Sequence, residues 1–398
     1  MTDKIHSPYV ITINASSYDL LKGKSPLLDS LDMELTERCN NNCIHCYINQ
    51  PEDSAIQLRE IPTPEVKRIL IEAAALGARS VRFTGGEPLL RKDFTELYLF
   101  TRRLGMNVML FTNARFITPA IADLLVQVPP RELVEVTVYG MTEKSYEAVS
   151  RVRGSYDEFR KGIDLLINRK IPFVVKSALL PPNRDEMERF EEWASSIPAM
   201  AGPPSYSLFF DLRARRDSPA KNRRIKHLRL SPEEGISIIS RERQKYCKGM
   251  SEFCSRFMRP PGEKLFPCGA GLGGCIDAYG MLQPCLPLRH PDTVYDLKSG
   301  SLHDALTRFF PGLREMKATN PDYLSRCARC FLKGLCEQCP AKSWMEHGTL
   351  DTPVEYLCRV AHAQAVDLGL LNEGEMSWKV LDGFRRINEL SKRINTGT

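Results

Sequence analysis

The chain has 398 residues, is 42% hydrophobic, and carries thirteen cysteines and a formal charge of +6. That length buries a sizeable core in two or three domains, and no run of about 18 apolar residues occurs, which excludes a transmembrane helix. Clustered cysteines in a chain without a secretory signal exclude a disulfide scaffold and read as metal binding.

The amino-terminal stretch "MTDKIHSPYVITINASSYDLL" has no charged-then-apolar signal and no small-residue cleavage site. Residues 1–30 are read as an extension, and a cytoplasmic location is expected. From about residue 30 to 212, short β-branched or aromatic runs alternate with helical stretches. The strand candidates are "LDMEL" (31–35), "SVRFT" (80–84), "NVMLFT" (107–112), "LVEVTVY" (133–139), "FVVKSAL" (173–179) and "SYSLFF" (205–210). "TPEVKRILIEAAALG" (63–77) reads as a helix with Thr63 as N-cap, Pro64 at the first helical position and Gly77 at its end. Residues 92–105 follow the same scheme, and 155–169 carry an apolar stripe at helical spacing. Six strands, each followed by a helix, predict a parallel α/β core over 31–230. Its curvature is not readable, so a partial barrel, a full barrel and an open sheet all stay open.

Directly after the first strand, "ELTERCNNNCIHCYIN" (34–49) sets Cys39, Cys43 and Cys46 at C-x3-C-x2-C. In a parallel βα fold this is the carboxyl end, where loops build active sites. Two thiols suit a redox pair and four suit a closed metal site; three leave one metal position open. The alternative is a structural zinc with His45 or a distant residue as fourth ligand. His45 lies between two of the cysteines, which is poor geometry for the same ion. At the end of the second strand stands "TGGEP" (84–88). There Gly85 and Gly86 let the backbone approach a ligand closely, and Glu87 can pair with an ammonium.

Past residue 212 the rhythm breaks. "RARRDSPAKNRRIKHLR" (213–229) carries eight Lys/Arg. It reads as a solvated loop or as a docking surface for an acidic partner such as a peptide. The lack of interleaved aromatics argues against nucleic acid, and the net charge is a poor argument for it, because metal-bound thiolates are ionised. Residues 231–260 read as a helical linker beginning at "SPEEG". Residues 261–360 are loop-rich, hold Cys268, Cys275, Cys285, Cys327, Cys330, Cys336, Cys339 and Cys358, and are expected to depend on metal for their fold. Eight cysteines suit two four-cysteine iron–sulfur sites, and two zinc ribbons would use the same number. Cys247 and Cys254 stand apart and read as ordinary thiols. Residues 361–398 form a helical tail, "SWKVLDGFRRINELSKRI".

The triad, the aromatic Tyr47 that follows it, and TGGEP at its strand end together resemble the radical S-adenosylmethionine (SAM) superfamily. The resemblance implies a partial (β/α)6 TIM-like barrel followed by a small loop-rich iron–sulfur domain. It implies a [4Fe–4S] cluster on Cys39, Cys43 and Cys46 whose fourth iron binds SAM, and contact of Gly85–Glu87 with the SAM amino group. Further SAM contacts are expected from Asn113 at the third strand's end and from Thr137, Arg151, Arg153 and Lys176 near the fourth and fifth strands. The implied activity is reductive cleavage of SAM to a 5′-deoxyadenosyl radical that abstracts hydrogen from a substrate. An external donor of flavodoxin or ferredoxin type would supply the electron.

The later cysteines, with "GMLQPC" ending at Cys285 and "CARCFLKGLCEQC" as C-x2-C-x5-C-x2-C, resemble the SPASM extension and its two auxiliary [4Fe–4S] clusters. Carried over, Cys268, Cys275, Cys285 and Cys339 would hold one, and Cys327, Cys330, Cys336 and Cys358 the other. The last internal gap is two residues where that pattern has three, which touches the geometry around Cys339. Enzymes of this kind commonly act on ribosomally made peptides or proteins, and a peptide substrate is expected here, either with a separate leader-binding protein as partner or with no leader at all. A small molecule of a cofactor or natural-product pathway is the runner-up, and a non-catalytic iron–sulfur carrier is the distant one. Leu286 stands where the sulfatase-maturing branch has a catalytic aspartate, which argues against that branch. No general base is assigned; Asp277 and Tyr279 lie near motif residues, and Asp277 reads as support for a turn.

Overall fold

A computed structural model describes residues 27–198, 200–258 and 261–395. Most of the amino-terminal extension read over 1–30 lies outside the described residues. The core strands are β1 (Ser30–Thr36), β2 (Ser80–Gly85), β3 (Asn107–Thr112), β4 (Arg131–Val138), β5 (Phe173–Ala178) and β6 (Ser205–Ser207). All six are parallel and lie side by side in chain order. β3, β4 and β5 show the period of two that a sheet with one packed face requires. In β4, Val134, Val136 and Val138 are buried, while Glu135 and Thr137 on the opposite face are half-buried.

Helices α1 (Thr63–Ala75), α2 (Phe94–Arg103), α3 (Pro119–Gln127), α4 (Glu143–Ser150), α5 (Ser155–Asn168) and α6 (Met187–Ser195) return the chain between the strands. The result is a right-handed βα partial barrel, open beyond β6. Thr63 is not the cap of α1: Pro62 holds that position, and the Thr63 hydroxyl donates to Asp93 at 2.7 Å. The strand read over 205–210 ends at Ser207. The basic run is not a loop, for α7 (Pro219–Leu228) occupies most of it, capped by the Ser218 hydroxyl.

The carboxy-terminal part adds to the barrel at its other edge. β7 (Cys275–Ile276) pairs in parallel with β1, with Asp32 opposite Cys275, and β8 (Met281–Gln283) and β9 (Tyr295–Asp296) extend the sheet antiparallel to nine strands. Helices α8 (Pro232–Ile239) and α9 (Arg243–Phe257) divide the stretch read as one helix. They pack with α10 (Glu355–Asp367) and α11 (Gly383–Asn395). Tyr246, Cys254, Cys330, Leu335, Ala365 and Ile387 form a second core there. No helix of the described residues is long and apolar enough to cross a membrane.

A buried polar chain holds the β7–β8 hairpin to the barrel. Arg289 donates to Glu34 at 2.6 Å and to Gln283 at 2.8 Å; Gln283 donates to Asp277 at 3.0 Å. Arg215 joins Asp277 at 2.7 Å to Glu37 at 2.6 Å, and the Tyr279 hydroxyl donates to Glu37 at 2.7 Å. Asp277 also accepts the backbone N–H groups of Tyr279 and Met281, both at 2.9 Å, which is the turn support read from the sequence. The Arg289 and Glu34 side chains are 1% and 0% exposed, so removing one strands a buried charge.

Arg289→Met is therefore expected to cost about 3–5 kcal/mol at pH 8. Burial pushes Glu34 up to about 7 against the pull of Arg289. A carboxyl raised in the folded state stabilises fully below its unfolded value and loses that contribution as pH rises through the folded one, here between about 4.5 and 7. The variant's deficit should accordingly shrink at pH 5.5, where Glu34 takes up a proton; urea unfolding at both pH values measures it, and a deficit independent of pH refutes the ionic pairing.

Candidate active site

The triad loop leaves β1 clamped on three sides. Thr36 and Arg38 carbonyls accept the N–H groups of Gly86 (2.7 Å) and Glu87 (2.9 Å), while the Glu37 carbonyl accepts that of Gln50 at 2.7 Å. Carbonyls alternate along extended backbone, so TGGEP and Gln50 flank the loop's stem on opposite sides. The end of α4 closes the third side: Ser150 and Val149 carbonyls accept the N–H groups of Asn42 and Ile44 at 2.9 and 3.1 Å.

Within this clamp Cys39 and Cys43 are buried and Cys46 is half-buried. The Cys39 sulfur accepts from the Asn41 N–H at 3.4 Å and from the Asn113 amide at 3.7 Å; the Cys46 sulfur accepts from the Asn49 N–H at 3.4 Å. These are donors of the kind that support a thiolate. Burial, then the neighbouring Cys43, raises Cys39 well above the usual thiol range, and burial with Cys46 beside it pushes Cys43 up to about 12. Such thiols ionise on meeting a metal cation, and three sulfur donors on one loop are the chemistry an iron–sulfur cluster takes; among the described residues the side chains do not already converge on a single metal position.

The glycines serve the protein's own packing. A Cβ on Gly85, whose φ is +122°, would sit 2.1 Å from the Thr36 carbonyl oxygen, and one on Gly86 would sit 2.2 Å from that of Arg38. They let the TGGEP turn press against the triad loop, a reason distinct from the close approach to a ligand read from the sequence. Glu87 is fully buried. One oxygen accepts from the Leu89 N–H (3.2 Å) and the Thr112 hydroxyl (2.9 Å), and the other from the Asn113 N–H (2.8 Å). Three protein donors thus occupy the carboxylate read as an ammonium partner, and burial pushes it up to about 7. Asn113 also donates to the Asn40 side chain at 2.7 Å, so it ties the third strand's end to the triad loop.

Thr137 on β4 and Lys176 on β5 are register partners, half-buried on the inner face of the barrel. Deeper on that face lie the Asp32–Arg82 pair at 3.0 Å, with the Arg82 guanidinium 4.9 Å over the Phe111 ring. Arg151 and Arg153 are exposed beyond the end of α4. Arg151 closes that helix in the left-handed conformation, with φ 59°. Tyr47 lies between the two halves of the protein, with Glu34, Arg289, Cys46 and Cys275 the charges around it.

His45 is a site residue that the sequence reading set aside. Its Nδ1 is buried without a partner, and burial lowers its pKa to about 4, so the ring is neutral. It lies 5.0 Å from the Phe210 ring and 5.9 Å from that of Tyr139. The His45 ring packs on the other two at tilted angles, with one unmet polar atom among the three. Only the approach of β6 brings Phe210 to the loop, and no local pattern announces it.

Of the later cysteines, Cys327, Cys330, Cys336 and Cys358 line one cavity, with Arg326, His362 and Trp378 in its wall. The other group is looser. Cys285 has Cys339 and Cys268 among its neighbours, whereas the charges nearest Cys275 are Glu34, Arg289, Asp32 and Asp277. Cys254 is buried in the second core with Cys247 packed against it, as ordinary thiols are.

Residues 33–194, which hold β1 to α6 with the triad and TGGEP, match the radical SAM superfamily. These residues are a radical SAM domain, and the chain is an enzyme. It is 26% identical over 336 residues to the AdoMet-dependent heme synthase of Methanosarcina barkeri, covering 79% of this chain and 92% of that protein. Among solved structures, anSMEcpe with bound AdoMet superposes with a TM-score of 0.58 at 13% identity, covering 93% of this chain and 97% of that one. SuiB of Streptococcus suis bound to its precursor peptide SuiA gives 0.58 at 16% identity, covering 83% and 75%. At these identities the likeness is one of fold, and it runs through the carboxy-terminal part as well as the barrel. A radical SAM domain implies S-adenosylmethionine and a [4Fe–4S] cluster.

Proposed function

We propose that Cys39, Cys43 and Cys46 hold that cluster with one iron left to SAM, and that the enzyme abstracts hydrogen from an extended peptide. With the group bound, the chemistry available is one-electron cleavage of SAM to methionine and a 5′-deoxyadenosyl radical. The chain's part is to bind, orient and exclude water. Asn41, Asn49 and Asn113 hold the cluster thiolates by the contacts above. Gly85–Glu87 and Asn113 border the SAM amino-acid end, with Thr137 and Lys176 as polar contacts further in. Tyr139, Phe210 and His45 enclose the adenine. Cys327, Cys330, Cys336 and Cys358 would hold one auxiliary cluster, and Cys268, Cys275, Cys285 and Cys339 the other, which asks Cys275 to turn from its charged neighbours.

The observation that carries the peptide reading is the barrel's open side. β6 ends the sheet there, and beside it lies a cleft of about 720 Å³ between α6 and α8–α9. Met187, Leu208, Ile238 and Met250 supply apolar wall, and Glu191 and Arg241, paired at 3.1 Å, supply charge. A free strand edge beside a mixed groove suits an extended backbone with side chains in alternating pockets.

The test is anaerobic reconstitution with dithionite and SAM, adding deuterated short peptides encoded next to the gene. Deuterium appearing in 5′-deoxyadenosine supports the reading. The near full-length match to a heme synthase favours a second substrate class, iron porphyrins; deuterium transfer from one of these, with none from peptide, would replace the first reading. A protein with filled clusters that cleaves no SAM at all would be an electron carrier.

A further inference from the structure

The basic run 213–229 divides in two once folded. Arg213 pairs with Asp217 at 2.8 Å, Arg215 with Glu37 and Asp277, and Lys226 and Arg229 with Glu346 at 3.3 and 2.5 Å. Arg216 donates to the Trp344 and Met345 carbonyls at 2.7 and 2.9 Å, and Lys221 to the Asn49 side chain. Arg223 and Arg224, on α7, are exposed and form no ion pair with a described residue. The same holds of Arg151 and Arg153.

Chain neighbours of these cations line one cavity. It measures about 400 Å³, is open to solvent, and has Cys39, Gln50, Val152, Arg213 and Lys221 in its wall. Val152 sits between Arg151 and Arg153, and Arg224 is one helical turn from Lys221. Its acidic members are Asp217, already paired, and Glu52. Gln50 lies across the loop's stem from TGGEP, so the cavity approaches Cys39 from the side away from the SAM-binding turn.

We propose that this face docks the external electron donor, a small acidic flavodoxin-type protein, and that α7 supplies its steering charge. The inference rests on the assignment of Cys39 as a cluster ligand. One electron passes at each encounter: the flavin hydroquinone becomes the semiquinone, and the [4Fe–4S] cluster goes from the 2+ to the 1+ state. Electron transfer weakens steeply with distance, so the donor must seat where a cluster ligand meets solvent. Exposed arginines without an ion pair, next in sequence or one helical turn from the cavity's wall, attract an acidic surface and raise the encounter rate.

The probe is a purified bacterial flavodoxin, titrated against reconstituted enzyme at low and high salt, with Arg223→Glu/Arg224→Glu as the variant. Kd should rise at least about tenfold at low salt and its salt dependence should flatten. SAM cleavage driven by limiting reduced flavodoxin should fall by a similar factor, while cleavage driven by dithionite stays unchanged. An unchanged Kd overturns the proposal, as does an equal loss with dithionite, or a variant that binds flavodoxin normally but loses affinity for the peptide substrate. Wild-type protein that binds flavodoxin yet cleaves no SAM with dithionite would instead count against the cluster assignment, since binding is read independently of turnover.

Discussion

Replacing Cys39, Cys43 and Cys46 together with alanine is expected to remove SAM cleavage while leaving about eight irons per chain, the content of two four-iron clusters. The three thiols, two buried and Cys46 half-buried, sit in a loop whose stem is fastened by backbone hydrogen bonds, not by the sulfurs. The substitution therefore takes away metal ligands without unfastening the loop, and the later cysteines lie on separate elements. It also removes two thiols, Cys39 and Cys43, that burial disfavours as ions, so the metal-free variant should unfold within about 1–2 kcal/mol of the metal-free parent. Iron and sulfide analysis, 5′-deoxyadenosine detection and urea unfolding give the three readings. Residual cleavage above about one part in a thousand of the parent rate would show that the reacting iron is held elsewhere.

Gly86→Ala is expected to cost about 3 kcal/mol of stability and at least about tenfold in SAM affinity. Its Cβ would lie 2.2 Å from the Arg38 carbonyl oxygen and 2.6 Å from that of Glu37, both backbone atoms of the loop's stem. Neither can rotate aside, so the turn must withdraw. That breaks the Gly86 and Glu87 N–H bonds to the stem and frees Glu87 from the end of β3. Gly154→Ala is the comparison. Its φ is +78° with nothing within 4 Å of the added carbon, so the conformational penalty alone applies, about 1–2 kcal/mol. Thermal unfolding and calorimetric SAM titration check both variants. Equal behaviour of the two would mean that backbone strain, not the meeting of turn and loop, sets the requirement at Gly86.

The parts of this protein legible in its sequence are those whose cause is local. Runs such as "NVMLFT" and "SVRFT" bury every second side chain whichever strand lies alongside, and they appear as β3 and β2 within a residue of their expected bounds. A cluster-binding loop needs its ligands within a few residues of each other, so C-x3-C-x2-C is visible before any folding. Thr63 shows the limit even at short range: its hydroxyl meets Asp93, thirty positions away, more favourably than the start of its own helix.

Tertiary structure alone decided the rest. Whether an arginine in the 213–229 run faces water or a buried carboxylate depends on Glu37, Asp277 and Glu346, which lie from about sixty to almost two hundred positions away. Glu34 reads as one more strand residue until β7 docks on β1 and Arg289 arrives 255 positions later. His45 gains its aromatic contact with Phe210 only when the chain leaving β6 carries that ring across the barrel. A residue's electrostatic role is set by the neighbours that displace its water, and in a parallel barrel extended at its first strand by a carboxy-terminal hairpin those neighbours come from the far end of the chain.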